Sequence, residues 1–130
     1  MKKTFFILFL LLCCLPVFAA DADIPYLAEA ISAAVGDAPF VVRVAFGEML
    51  VNRLDSDRFP DALPAVLYGL YGDRIPRKKA SESDIRAAAA AYRRLGFAGG
   101  ALYVTKWSEA QNTPLVMRSG VRLYDWFFYI

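Results

Sequence analysis

Apolar residues occupy nearly every position from Thr4 to Leu15, with no polar face. Lys2 and Lys3 precede this block, Pro16 breaks it, and Val17-Phe18-Ala19 follows as a small-x-small pattern. A basic start, a short apolar run and a small-residue site form the layout of a secretory signal peptide. The run is near the lower length for spanning a bilayer, so an uncleaved anchor is the alternative. Residues 1–20 therefore read as a signal segment and 21–130 as one exported domain. Contact with a membrane is expected only through the signal segment, and only if it is retained.

The pattern then changes to blocks of helical spacing. Asp23-Ile24-Pro25 is an acidic cap followed by a first-turn proline, and predicts a helix over Tyr26–Ala34 that Gly36 ends. A second start at Asp37-Ala38-Pro39 opens a helix to Leu54. That stretch is apolar nearly all round, which predicts a central helix buried on most sides. Asp55–Pro60 is a turn-rich connector, Asp61–Tyr71 holds a short helix, and Gly72–Ala80 is a basic loop. Ser81-Glu82-Ser83-Asp84 fits a capping box. The helix after it is expected to bury Ile85, Ala88, Ala89, Tyr92 and Leu95, with Gly96 closing it. Ala101–Trp107, Leu115–Met117 and Val121–Tyr129 read as strands, being rich in β-branched and aromatic residues. Helices followed by a small C-terminal antiparallel sheet make the class α+β.

Composition narrows the chemistry. The chain has 15 basic and 13 acidic residues. Loss of Lys2 and Lys3 with the signal would leave the charges balanced, which gives no polycation and no expectation of a nucleic-acid partner. Both cysteines, Cys13 and Cys14, lie in the signal segment, so the domain itself can form no internal disulfide. There is no histidine. Ser-His and Cys-His dyads, histidine bases and histidine-containing zinc sites are excluded together. No metal or cofactor is expected. Any reaction would rest on Asp, Glu, Tyr, Lys or backbone groups.

Several ordered motifs carry a resemblance. Ala38–Pro60, APFVVRVAFGEMLVNRLDSDRFP, contains an apolar helix, Asn52-Arg53 and then Phe59-Pro60. Ile85-Arg86-Ala87-Ala88, Gly100-Ala101-Leu102-Tyr103, Arg122 and Phe128-Tyr129 follow in order. This set resembles the spore cortex-lytic, SleB-type cell wall hydrolase family over nearly all of residues 21–130. The resemblance implies a small lysozyme-like domain whose ligand is the peptidoglycan glycan strand. It also implies lytic transglycosylase chemistry, in which one glutamate of raised pKa is the general acid. That glutamate's place on the first helix falls on Ala34 in an ungapped alignment from Leu27 to Asn52. The family's mid-domain Gly-Gln-Phe-Ser-like stretch is missing between Val66 and Ile85, and the histidine before its last Phe-Tyr falls on Trp126.

Glu48 is the candidate for a relocated acid, because it lies in the apolar helix four residues before Asn52 and shares its face. Its structural alternative is a buried carboxylate bonded to Asn52, an arginine or the backbone. Asn52, Tyr103 and Trp126 are candidates for holding substrate. Tyr103, Trp107, Tyr124 and Trp126 offer aromatic faces for sugar rings, though aromatics in a half-buried sheet are commonly core. Arg53 reads as a tie between the helix end and the connector. Arg74, Arg77, Lys78 and Lys79 form a basic loop that could meet anionic wall polymer or simply be solvated. Two function classes follow: a glycan-cleaving enzyme, or a non-catalytic wall-binding or regulatory relative. A small exported scaffold that only shares the fold is a third.

Overall fold

The computed structural model describes residues 23–130. The signal segment expected at the N-terminus lies outside these residues. In chain order the elements are helix α1 (23–35), α2 (Phe40–Leu54), α3 (Leu63–Tyr71), a 3-10 turn (Gly72–Arg74), α4 (Glu82–Tyr92), strand β1 (Tyr103–Lys106), the one-turn helix α5 (Trp107–Ala110), a second 3-10 turn (Pro114–Met117), and strands β2 (Gly120–Leu123) and β3 (Trp126–Tyr129). The fold is α+β. Among the described residues no helix is long and apolar enough to cross a membrane.

Helix α2 is the axis of the core, buried along most of its length from Val42 to Arg53. Leu27 and Ile31 of α1, Leu63 and Leu67 of α3, Ala87, Ala88 and Ala91 of α4, and Phe128 of β3 pack with it in one apolar cluster. Helices α2 and α4 approach each other closely. A Cβ on Gly47 would lie 2.7 Å from the Cβ of Ala91. Glycine facing alanine lets two helices approach nearly to backbone contact, and this decides how α4 is turned.

The turn differs from the expected one. The buried face of α4 is Asp84, Ala87, Ala88 and Ala91, whereas Ile85 is 44% exposed and Leu95 is 56% exposed. Larger side chains at the contact would hold the helices apart, so the alanines go inward and Ile85 goes out. The helix also ends at Tyr92, before Leu95, with Arg94 at φ 54° and Gly96 at φ 87°. The capping box forms as expected, since Ser81 Oγ accepts the Asp84 N–H at 3.1 Å and Asp84 Oδ2 accepts the Ser81 N–H at 2.9 Å.

The sheet has the order β1-β3-β2, antiparallel throughout, with Tyr103 opposite Tyr129 and Leu123 opposite Trp126. Leu115–Met117 is a 3-10 turn rather than a strand, because Pro114 fixes a turn geometry and denies the ladder a donor. Val121–Tyr129 is two strands, not one. The chain reverses at Tyr124-Asp125, so the aromatic run pairs with itself.

Candidate functional site

A groove of about 390 Å³ opens between the end of α1 and the β2–β3 turn. Ser32 to Val35 and the Gly36–Pro39 link make one wall. Lys78, Lys106, Tyr124, Asp125 and Trp126 complete it. Ala34 therefore stands half-buried on the wall of an open groove. The last turn of α1 brings carbonyl groups there, which favour hydrogen-bond donors from a ligand.

The opposite rim comes from the sheet. Lys106 Nζ sits 3.9 Å from the centre of the Trp126 ring and 3.9 Å from Asp125 Oδ2. The ring thus carries a cation on its face while its carboxylate neighbour holds that cation in place. Tyr124 is 65% exposed and has φ 54° in the two-residue turn. A non-glycine residue there costs about 1 kcal/mol of backbone strain. Arg122 Nε donates to the Tyr124 carbonyl at 3.1 Å and so supports the turn. The groove offers two ammonium groups, two carboxylates (Asp37 and Asp125) and two aromatic rings; Ser32 on its wall is buried, and its hydroxyl donates to the Lys79 carbonyl at 3.2 Å.

Glu48 lies elsewhere. It is 2% exposed and is absent from the groove lining. Its Oε2 accepts the Gly96 N–H at 3.0 Å and its Oε1 accepts the Phe97 N–H at 3.3 Å. Both oxygens thereby hold the bend after α4. Asn52 Nδ2 donates to the carbonyls of Gly99 at 3.1 Å and Ala101 at 3.0 Å. Arg53 Nε donates to the Leu102 carbonyl at 2.7 Å. Burial pushes the Arg53 guanidinium below its usual pKa, opposed by the nearby Tyr103, Tyr71 and Tyr129. These three polar residues of α2 all fasten the Gly96–Leu102 segment that leads into β1.

Tyr103 faces away from the groove lining, in an aromatic row across the sheet. It stacks on Tyr129 at 5.4 Å and meets the edge of Phe59 at 6.1 Å. Of Glu48, Asn52, Tyr103 and Trp126, only Trp126 is on the groove; Tyr124 and Lys78, which the sequence offered as an aromatic face and part of a basic loop, line it as well. Residues that sequence reasoning did not single out for the site are Ser32, Asp37, Lys106 and Asp125. Their signal was weak, because each is an ordinary polar residue at an element end or turn.

The helix order and the terminal sheet have known counterparts. The catalytic domain of the germination-specific lytic transglycosylase SleB from Bacillus anthracis superposes with a TM-score of 0.69 at 21% identity, over 83% of this chain and 93% of that one. The catalytic domain of the Bacillus cereus SleB protein gives 0.70 at 21% identity, over 83% and 89%. The chain has the SleB catalytic-domain fold. No model of a known protein family matches the sequence, and neither does any curated protein.

Proposed function

We propose that this protein is exported and holds peptidoglycan glycan strands in the groove beside Ala34, without cleaving them. One observation carries the reading: the groove is open and lined for a saccharide, yet the wall residue at the resembled acid position is alanine. Tyr124 supplies exposed apolar surface for the C–H faces of sugar rings, with Trp126 beside it, while Asp37, Lys78 and Asp125 supply partners for hydroxyl and amide groups. Alanine cannot protonate a leaving group. Glu48 does not substitute for the acid, because it is buried on two backbone N–H groups and does not line the groove. The SleB-type resemblance supports peptidoglycan as the polymer, and the basic-apolar N-terminal segment supports an extracytoplasmic location.

A cleaving reading is favoured by one feature, the two groove carboxylates. In that reading Asp37 or Asp125 would donate the proton. The test is incubation of the purified protein with peptidoglycan, followed by pelleting and mass spectrometry of soluble muropeptides. The binding reading expects the protein in the pellet and no anhydromuropeptides, and Trp126→Ala should reduce the pelleted fraction. Anhydromuropeptides that vanish in Asp37→Asn or Asp125→Asn would establish cleavage instead. A protein that stays in the supernatant and releases no muropeptides would end both.

A further inference from the structure

Lys106 and Trp126 stand opposite each other in the β1–β3 ladder. Cross-strand partners project to the same side of a sheet, so the register by itself brings the lysine chain against the indole. Its ammonium ends 3.9 Å from the ring centre. So short a separation is reached over a face of the ring, not past its edge. The indole is half-buried and packs against the apolar core. The side turned to the groove is therefore the side that the ammonium covers.

Two contacts hold the ammonium there, and both are loose. Asp125 Oδ2 lies 3.9 Å away, too far for a direct hydrogen bond, and the Lys106 and Asp125 side chains are 42% and 57% exposed. An exposed cation on a ring and an exposed ion pair are both weak contacts. Lys78, the groove's other ammonium, is exposed and forms no ion pair among the described residues.

We infer that Lys106 selects what the groove accepts: a glycan strand carrying a carboxylate, in preference to a neutral one. The inference rests on the reading of the groove as a saccharide site. A sugar that offers only C–H and hydroxyl groups must compete with the ammonium for the indole face. A carboxylate beside the sugar draws the ammonium off the ring and away from Asp125, into a charge-assisted hydrogen bond that the 3.9 Å pair lacks. The same movement uncovers the indole for the neighbouring sugar ring. Tyr124 is mostly exposed and stays available to either strand, so a neutral glycan keeps a weaker hold. In peptidoglycan the carboxylate has two sources, the lactyl group of an unsubstituted muramic acid and the stem peptide.

The test measures anisotropy of three labelled, soluble glycans of matched length with the purified protein. They are muramic strands with their stem peptides, the same strands stripped of stems by an amidase, and a chitin oligomer. At least one muramic strand should bind about tenfold more tightly than chitin, and the tighter of the two shows which carboxylate is read. Lys106→Met keeps the length of the side chain and removes its charge. It should weaken the muramic strand and strengthen chitin, so that the gap closes. Lys106→Arg should keep the gap, and Lys78→Met, which uncovers no ring, should leave chitin binding unchanged. Circular dichroism checks that each variant is folded. Asp125→Asn approaches the same contact from the other partner: an ammonium freed of its internal carboxylate should bind the muramic strand more tightly. Chitin bound as tightly as both muramic strands, a gap that persists in folded Lys106→Met, or no tightening in Asp125→Asn overturns the inference and leaves the groove reading standing. Binding of no glycan at all overturns both.

Discussion

The Glu48 carboxylate and the Gly96 N–H meet at 3.0 Å, and this contact joins the middle of the central helix to the bend that leads into the sheet. The same carboxylate also accepts the Phe97 N–H. Hydrogen bonds to a buried charge are worth more than neutral ones. Glu48→Gln replaces one acceptor oxygen with a donor that faces an N–H. It should lower stability by about 2 kcal/mol in urea unfolding, and Glu48→Ala by more. Peptidoglycan pelleting measured well below the midpoint should be unchanged in Glu48→Gln. A loss of pelleting at full folding would give Glu48 a role at the groove.

Gly47 packs against Ala91, and nothing larger fits. Gly47→Ala should destabilise by about 1–3 kcal/mol through overpacking, despite alanine's better helix propensity. Adding Ala91→Gly to that variant should recover part of the loss. Additive losses in the double variant would mean that the two helices do not touch there.

Asp84 links the α4 cap to α2. Burial alone would raise its pKa, but hydrogen bonds from the Ser81 backbone and hydroxyl, from Arg43 and from Ser32 outweigh it and lower the value. Arg43 Nη1 lies 3.0 Å from Asp84 Oδ1. A lowered folded-state pKa means the stabilisation is complete above the ordinary carboxylate value. It is lost as pH falls through the depressed value. Asp84→Asn should cost roughly 3 kcal/mol at neutral pH and flatten the acid limb of the stability curve. Urea midpoints measured from neutral pH down to strong acid check both.

Tyr92 gives the opposite limb. Burial, then the nearby charge of Asp23, push the phenol up to about 12. Tyr71 is raised as well, by burial, with Arg53 opposing. A raised pKa means that their stabilisation is present below the ordinary phenol value and fades as pH climbs through the folded one. Spectrophotometric titration should show tyrosinate forming late for these two among the chain's 7 tyrosines. Tyr92→Phe should remove part of the late phase and soften the alkaline loss of stability.

Tyr124 separates binding from stability. It sits at φ 54° and is mostly exposed. Glycine accepts that backbone geometry freely, although it costs more entropy on folding. Tyr124→Gly should leave the melting temperature unchanged or raise stability by up to about 1 kcal/mol, while peptidoglycan pelleting falls. Unimpaired pelleting would take Tyr124 out of the ligand's reach.

The local pattern of the sequence determined the α+β order, the start of each main helix, the capping box at Ser81 and the burial of α2. Each follows from spacing, caps and punctuation within a few residues. Burial of Glu48 was legible too, but its partners were not, because Gly96 and Phe97 are 48 and 49 residues away. The facing of α4 needed the glycine–alanine contact across two helices, and the split of Val121–Tyr129 into a hairpin depended on pairing that no single strand displays. The groove was least legible. Ser32, Asp37, Lys106 and Asp125 are unremarkable in sequence and become a site only because α1 ends where the β2–β3 turn begins its return. The resemblance put the family's acid position at Ala34; only the tertiary structure placed that residue on the wall of an open groove.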